Sequence, residues 1–176
     1  MSRRCHAMAP EQALGEARRV ADRLVGLAEL RRASILVLYA SLADELPILP
    51  IYERARSLGL ALAWPRQSGA ALDLARCDAW EDLVPGRHGV PEPPEAAPRV
   101  AASPGLVILV PGRAFDSLGR RLGRGGGAYD RLLASRAGAF AVGTGYAFQL
   151  VGEVPVEAHD ERVDAVATPA GLARRP

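Results

Sequence analysis

The sequence contains no lysine and no asparagine, and it has only two cysteines in 176 residues. The missing lysine excludes a Walker A phosphate-binding loop, because the GK[ST] ending of that loop requires this residue. Cys5 and Cys77 have neither metal-ligand spacing nor a disulfide pattern, so we expect two free thiols. We attribute the missing lysine and asparagine to a bias of the source genome, and no function follows from it.

Long apolar runs and a strong charge imbalance are also missing. No apolar run approaches the roughly 20 residues that span a bilayer, and the N-terminal MSRRCHAMAPEQ lacks the apolar core of a secretory signal. The net charge of +2 is too small to indicate a nucleic-acid partner. We therefore expect a cytoplasmic, monomeric protein that binds neither membrane nor nucleic acid, with a single domain over residues 1–176.

Short apolar segments alternate with amphipathic ones along the chain. Helices are predicted over 10–29, 47–58 and 128–136, and strands over 34–40, 60–64, 105–110, 139–145 and 163–168, with an edge strand over 70–76. The proline-rich segment 84–104 is predicted to be a long surface loop. This alternation is typical of a parallel α/β sheet covered by helices.

The stretch from Leu109 to Leu132, LVPGRAFDSLGRRLGRGGGAYDRL, has five arginines and places five glycines within residues 119–127. Glycine allows close backbone approach to a ligand, and arginine donates a charged fork to phosphate oxygens. The N–H groups of 125–127 predict an anion nest, and a helix beginning near Ala128 directs its positive end to the same place. The stretch therefore predicts a polyphosphate site, and a flexible solvated connection is the simpler alternative.

Gly123, Gly125 and Ala128 also satisfy the G-x-G-x-x-G/A spelling of a dinucleotide site, which would indicate an oxidoreductase. Two observations oppose this hypothesis. The spelling begins about a dozen residues beyond the strand end at Val110, whereas the fingerprint opens directly from its strand. No ribose-binding acid stands at the end of the predicted strand 139–145.

Several carboxylates stand near predicted strand and loop ends. Asp44 and Glu45 follow the first strand, where open α/β sheets bind ligands. We expect Asp44 to cap the following helix, and we assign Glu45 to substrate on the resemblance described below. Asp116 is predicted to cap or orient the central stretch. Asp130 and Asp160 are candidate ligands for Mg²⁺, which needs only one or two carboxylates plus phosphate.

The central stretch resembles the pattern PGxAFDxxGxRLGxGxGYYD of the 5-formyltetrahydrofolate cyclo-ligase family, also called 5,10-methenyltetrahydrofolate synthetases. The matching residues are Pro111, Gly112, Ala114, Phe115, Asp116, Gly119, Arg121, Leu122, Gly123, Gly125, Gly127, Tyr129 and Asp130. Further matches are Trp64, Pro65 and Arg66 to an xPR element, Gly89, Val90, Glu92 and Pro93 to GIxEP, and His159 and Asp160 to a closing HD. The resemblance covers residues 34–168.

The resemblance implies a Rossmann-like three-layer α/β/α sandwich with a mostly parallel central sheet. It implies ATP-dependent conversion of 5-formyltetrahydrofolate to 5,10-methenyltetrahydrofolate, with release of ADP and phosphate. ATP would be the co-substrate and Mg²⁺ the cofactor. The family mechanism phosphorylates the formyl oxygen and closes the ring through N10.

The resemblance also implies site residues. The ATP site would contain Arg121, Leu122, Gly123, Arg124, Gly125, Gly126, Gly127, Ala128 and Tyr129. The folate site would contain Ala40, Glu45, Arg124, Gly125, Gly126, Gly127 and Ala128. Arg121, Arg124 and Tyr129 would be catalytic, and Asp130 and Asp160 would hold the metal.

The sequence departs from the family pattern at three places. Gly126 stands where the family usually has lysine, and Ala128 replaces the first tyrosine of a pair. The chain begins at MSRR, downstream of the usual Lys-x-x-Leu-Arg element, and Arg3 or Arg4 is the candidate substitute. These departures leave open an alternative function, namely a diverged, weak or inactive member that binds folate or nucleotide.

Overall fold

The computed structural model describes residues 2–176. These residues form five α-helices: α1 (Ser2–His6), α2 (Pro10–Val25), α3 (Ala28–Arg32), α4 (Leu49–Ser57) and α5 (Ala128–Ala134). They also form eleven strands: β1 (Ile35–Val37), β2 (Ala61–Ser68), β3 (Ala71–Arg76), β4 (Val84–Pro85), β5 (Pro91–Glu92), β6 (Leu106–Pro111), β7 (Ala114–Phe115), β8 (Arg121–Leu122), β9 (Phe140–Thr144), β10 (Ala165–Thr168) and β11 (Gly171–Arg174). No helix within residues 2–176 is long and apolar enough to cross a membrane.

Seven of these strands form the central sheet, in the order β11-β10-β9-β6-β1-β2-β3. The five inner strands are parallel to one another, and in this register Leu36 of β1 lies opposite both Leu62 of β2 and Val107 of β6. The edge strands β3 and β11 are antiparallel to β2 and β10. The prediction of a mostly parallel α/β sheet is confirmed.

Side chains from successive sheet positions enter two separate hydrophobic clusters, as the alternation of a strand requires. Leu36 packs in the cluster that contains Leu24 of α2 and Ile51 of α4. Val37 packs in the other cluster, which contains Leu132 of α5. Helices therefore cover both faces of the sheet, and the predicted three-layer sandwich is confirmed. Full burial of each such aliphatic side chain contributes roughly 1.5–3 kcal/mol.

Helix and strand positions agree with the sequence patterns, but several boundaries differ. The helix predicted over 10–29 ends at Val25, because Gly26 turns the chain and bonds back to Arg23 O at 3.1 Å. The first strand is shorter than predicted, since regular pairing ends at Val37. The prediction missed β11, whose residues alternate between half-buried and exposed at the sheet edge.

The segment 84–104 was predicted to be an irregular loop, and that prediction is partly wrong. Two short strands, β4 and β5, pair within it. The side chain of Arg66 anchors the following residues by donating to Pro94 O at 2.7 Å and to Glu95 O at 2.9 Å. The Glu92 carboxylate accepts from Gln67 N at 3.0 Å. The segment is thereby fixed against β2.

Candidate active site

A cavity of about 1140 Å³ opens beside the residues that follow β1 and β6. Its wall includes Ala40 and Glu45 after β1 and Arg113 after β6. It also includes residues 121–127, which we call the glycine loop, and residues 128–131 at the start of α5. Segments around residues 87–92 and 155–160 complete the wall. Parallel α/β sheets bind ligands beyond the carboxyl ends of their strands, so this cavity is the candidate active site.

A buried aspartate organises the hairpin that leads into the glycine loop. The hairpin pairs β7 with β8, and the fully buried Asp116 accepts from Leu118 N at 2.9 Å, Arg120 N at 3.1 Å and Val154 N at 2.9 Å. Its other partner is Arg120 Nε at 2.5 Å. Burial alone would raise the pKa of Asp116, but these donors hold it below its ordinary value. The expected orienting role of Asp116 is confirmed.

Arg121 lies buried at the start of the glycine loop and pairs with Asp130. Its Nη2 atom is 2.9 Å from one carboxylate oxygen of Asp130 and 3.0 Å from the other. The guanidinium carbon also lies 5.8 Å from the centre of the Tyr129 ring. Within residues 2–176, Arg121 Nε is buried without a hydrogen-bond partner. An unpaired buried donor is costly, and this one belongs to a side chain that lines the cavity.

Arg124 joins the glycine loop to the segment after β1. Its Nη2 atom hydrogen-bonds to Asp44 Oδ1, and its Nε atom lies 3.4 Å from Glu45 Oε1. The prediction that Asp44 caps α4 is wrong: residue Ile48 occupies the cap position, and no side chain caps that helix end. Ser41 Oγ instead accepts from Ile48 N at 2.8 Å, so the turn is held without Asp44.

Glu45 is the acid that faces the cavity in this segment. Burial raises the pKa of its carboxyl, although the Leu42 N–H at 3.0 Å and Arg124 oppose the shift. Burial likewise raises the pKa of the Tyr129 hydroxyl well above its ordinary value, and Glu45 adds to this effect. Tyr129 therefore stays protonated at neutral pH and is suited to donate a hydrogen bond rather than to accept a proton.

The backbone of the glycine loop is open to the cavity at its centre. A Cβ atom at Gly125 or Gly126 would meet no heavy atom within 4 Å, and Gly125 has a φ of +86° that favours glycine. The loop is braced from the other side by Arg131, whose Nη2 atom donates to Gly126 O at 2.8 Å and to Ala70 O at 2.5 Å. The loop thus combines fixed ends with an unobstructed centre.

The two candidate metal ligands both line the cavity. Asp160 accepts from Glu157 N at 2.7 Å through Oδ2, and its Oδ1 atom lies 3.8 Å from His159 Nε2. In residues 2–176 no group of three or more His, Cys, Asp or Glu side chains could hold a metal. The donor type nevertheless fits Mg²⁺, which prefers carboxylate oxygen and completes its shell with phosphate and water. Arg121 would have to share or release Asp130 for that role.

The structure brings the predicted site residues together around one cavity, with one exception at the N-terminus. The lining includes Ala40, Glu45, Asp130, Asp160 and every residue of 121–129. Neither Arg3 nor Arg4 lines it: Arg4 instead stacks over the Phe148 ring at 4.2 Å. The predicted substitution of Arg3 or Arg4 for the family's basic residues is therefore not supported.

Other residues of the cavity wall had no predicted role. Arg113 and Arg131 lie in the central stretch of the sequence, but neither was assigned a role. Gln67 and Arg87 carried no motif of their own, and only the folded chain places them at the wall. The wall therefore has more cationic groups than the glycine loop alone supplies.

Comparison with known proteins gives matches along nearly the whole chain. The sequence model of the 5-formyltetrahydrofolate cyclo-ligase family matches residues 1–169. A protein of Escherichia coli named 5-formyltetrahydrofolate cyclo-ligase is 32% identical over 174 residues, which is 95% of this chain and 95% of that protein. Among solved structures, a 5,10-methenyltetrahydrofolate synthetase of Aquifex aeolicus has a TM-score of 0.80 and 28% identity, over 98% of this chain and 87% of that one.

A second solved structure supports the fold alone. It is a 5,10-methenyltetrahydrofolate synthetase of Mycoplasma pneumoniae, with a TM-score of 0.72 and 16% identity over 95% of this chain and 93% of that one.

Proposed function

The chain belongs to the 5-formyltetrahydrofolate cyclo-ligase family, and from that membership we propose that it converts 5-formyltetrahydrofolate to 5,10-methenyltetrahydrofolate with ATP as co-substrate. The observation that carries the proposal is the convergence of the family signature, 121–130, with Glu45 and Asp160 on one cavity. Its volume of about 1140 Å³ exceeds the roughly 300–1000 Å³ of an ordinary ligand pocket, so there is room for two substrates. We also propose that the enzyme acts as a cytoplasmic monomer.

The proposed reaction transfers the γ-phosphoryl group of ATP to the formyl oxygen. Electrons from N5 make the formyl oxygen a nucleophile, and an O–P bond forms there as the bond between the γ-phosphorus and the bridging oxygen of ADP breaks. The phosphorylated oxygen is now a leaving group, and the formyl carbon, doubly bonded to N5, is an electrophile. N10 then bonds to that carbon and loses its proton. Phosphate leaves with the former formyl oxygen, and the methenyl bridge is closed. No covalent bond to the protein is needed, so the side chains act by positioning and by neutralising charge.

We assign the phosphate contacts to Arg121, Arg124 and the N–H groups of the loop around Gly125 and Gly126. Positive charge there favours the charge that develops on the transferred group. Arg121 suits this role because its buried Nε lacks a partner within residues 2–176, and a phosphate oxygen would satisfy a free guanidinium donor. Asp130 and Asp160 would hold Mg²⁺, which supplies further charge neutralisation when bound.

We assign the folate contacts to Glu45 and to the adjoining wall. A buried carboxyl with a raised pKa can accept or share hydrogen bonds with the N–H groups of a pterin. Tyr129 would supply a hydroxyl donor near the reacting groups. Gly126 removes one cation relative to the family pattern, and Arg113 and Arg131 on the same wall are placed to offset that loss.

The test is turnover with each component omitted in turn. Purified protein is mixed with 5-formyltetrahydrofolate, ATP and Mg²⁺, and the methenyl chromophore and released phosphate are followed together. The proposal expects both signals only when all components are present. Phosphate without the methenyl product would indicate plain ATP hydrolysis. Absence of both signals, with a melting temperature still raised by either substrate, would instead support the diverged binding protein.

A further inference from the structure

We propose that Asp44 is a positioning residue, which holds Arg124 and through it the glycine loop in the shape that receives an anionic ligand. The identity of that ligand as ATP or folate rests on the proposed function. The positioning itself rests on contacts between two segments that are 80 residues apart in the chain.

The pairing is asymmetric in burial. The Asp44 side chain is 8% exposed, whereas the Arg124 side chain is 42% exposed. Asp44 therefore belongs to the fixed part of the molecule, and Arg124 is the group that it holds. Arg113 Nη2 lies 3.9 Å from the other Asp44 oxygen and places a second positive charge beside the buried carboxylate.

The glycine loop needs such an anchor, because the centre of the loop faces open space. Arg124 stands between Gly123 and Gly125, and a Cβ atom at Gly125 or Gly126 would meet no heavy atom within 4 Å. Glycine loses more conformational freedom on ordering than any other residue, so side-chain anchors decide how well the loop is held. Arg131, in α5, holds the loop by donating to Gly126 O. Asp44 holds the loop at Arg124, two residues before Gly126.

Glu45 cannot replace Asp44 in this role. Its carboxylate is already engaged by Leu42 N at 3.0 Å, and its contact with Arg124 is long, at 3.4 Å. Glu45 lines the cavity and Asp44 does not. Asp44 thus acts on a ligand through the cavity arginines beside it, chiefly Arg124 and more weakly Arg113, which separates its role from that of a catalytic residue.

The first measurement is the backbone ¹⁵N NMR order parameters of residues 122–127, which do not depend on turnover. Asp44→Asn keeps the shape of the side chain and removes its charge, and we expect the order parameters of the loop to fall from the roughly 0.85 of rigid backbone to below about 0.6. Asp44→Glu, which keeps the charge, should retain most of the order. Asp164→Asn is the matched control, since Asp164 pairs with Arg136 at 2.9 Å and Arg175 at 3.3 Å, and neither arginine lines the cavity.

The second measurement is a double-mutant cycle on KM. Asp44→Asn should raise KM for ATP or folate by roughly tenfold and change kcat less. The same substitution should raise KM much less in an Arg124→Gln background, because Asp44 acts chiefly through that side chain. Unchanged loop order parameters in Asp44→Asn, or a full additional effect in the Arg124→Gln background, would overturn the inference. Lower loop order parameters in a protein without turnover would support the positioning and contradict only the proposed function.

Discussion

Gly119 and Gly125 of the family signature both have a positive φ, but their surroundings differ. This difference predicts that substitution of one lowers stability and substitution of the other weakens ligand binding. Gly119 has a φ of +75° and Gly125 a φ of +86°. Alanine in this left-handed backbone conformation lowers the free energy of unfolding by roughly 1–2 kcal/mol at either position. A Cβ at Gly119 would lie 2.1 Å from the backbone oxygen of Val163, whereas a Cβ at Gly125 would meet nothing within 4 Å.

The surroundings set the difference in stability, since the shared backbone cost cancels. The clash in Gly119→Ala displaces the backbone at Val163, whose N–H donates to Gly119 O at 2.9 Å. Losing that bond costs about 1 kcal/mol, and the overpacking adds roughly 1–3 kcal/mol. Gly119→Ala should therefore be about 2–4 kcal/mol less stable than Gly125→Ala, which corresponds to a melting temperature roughly 4–16 °C lower.

Thermal melts followed by circular dichroism, together with substrate titrations, separate the two roles. Gly125→Ala should melt only roughly 2–8 °C below the wild type, which is the backbone cost alone, but show a higher KM for ATP, because its methyl group enters the open centre of the loop. Gly119→Ala should melt early and, where folded, keep its KM. Equal melting temperatures for the two variants would refute the assignment of Gly119 to the fold and Gly125 to the ligand.

Three further substitutions give direct tests. The raised pKa of Glu45 means that its contribution to stability is present at acid pH and lost as pH rises through the folded-state pKa, so in paired melts the stability of Glu45→Gln relative to the wild type should increase as pH rises from acid towards neutral. The pKa of Asp116 is lowered, so its contribution to stability is present above the pKa of the unfolded state and is lost as pH falls through the pKa of the folded state. Asp116→Asn should therefore lower the free energy of unfolding by about 3 kcal/mol in denaturant titrations at neutral pH, and by much less in acid. Tyr129→Phe should lower kcat several-fold without moving the pH profile near neutrality, and a shifted profile would show that the hydroxyl titrates there.

The sheet and the glycine loop could be predicted because their signals are local. Leu106–Pro111 is apolar at every position, as a strand buried on both faces requires, and all of its residues are buried. The glycines and arginines of the central stretch lie close together in the sequence, so an anion-binding site could be predicted from them without knowledge of the fold. The same stretch then proved to line the cavity.

Contacts between distant segments could not be predicted in this way. Asp44 stands before a helix, and its local context favours a cap, but the fold brings Arg124 to it from 80 residues away. β11 was missed because only four residues form it at an edge. β4 and β5 have two residues each and contain proline, so neither shows a strand periodicity.

Isotope transfer tests the central claim most directly. 5-Formyltetrahydrofolate labelled with ¹⁸O in the formyl group is mixed with unlabelled ATP, Mg²⁺ and the protein, and the released phosphate is examined by mass spectrometry. The proposed mechanism predicts one ¹⁸O atom in each phosphate released with a methenyl product, because the formyl oxygen leaves on phosphorus. Unlabelled phosphate accompanying that product would contradict phosphorylation of the formyl oxygen.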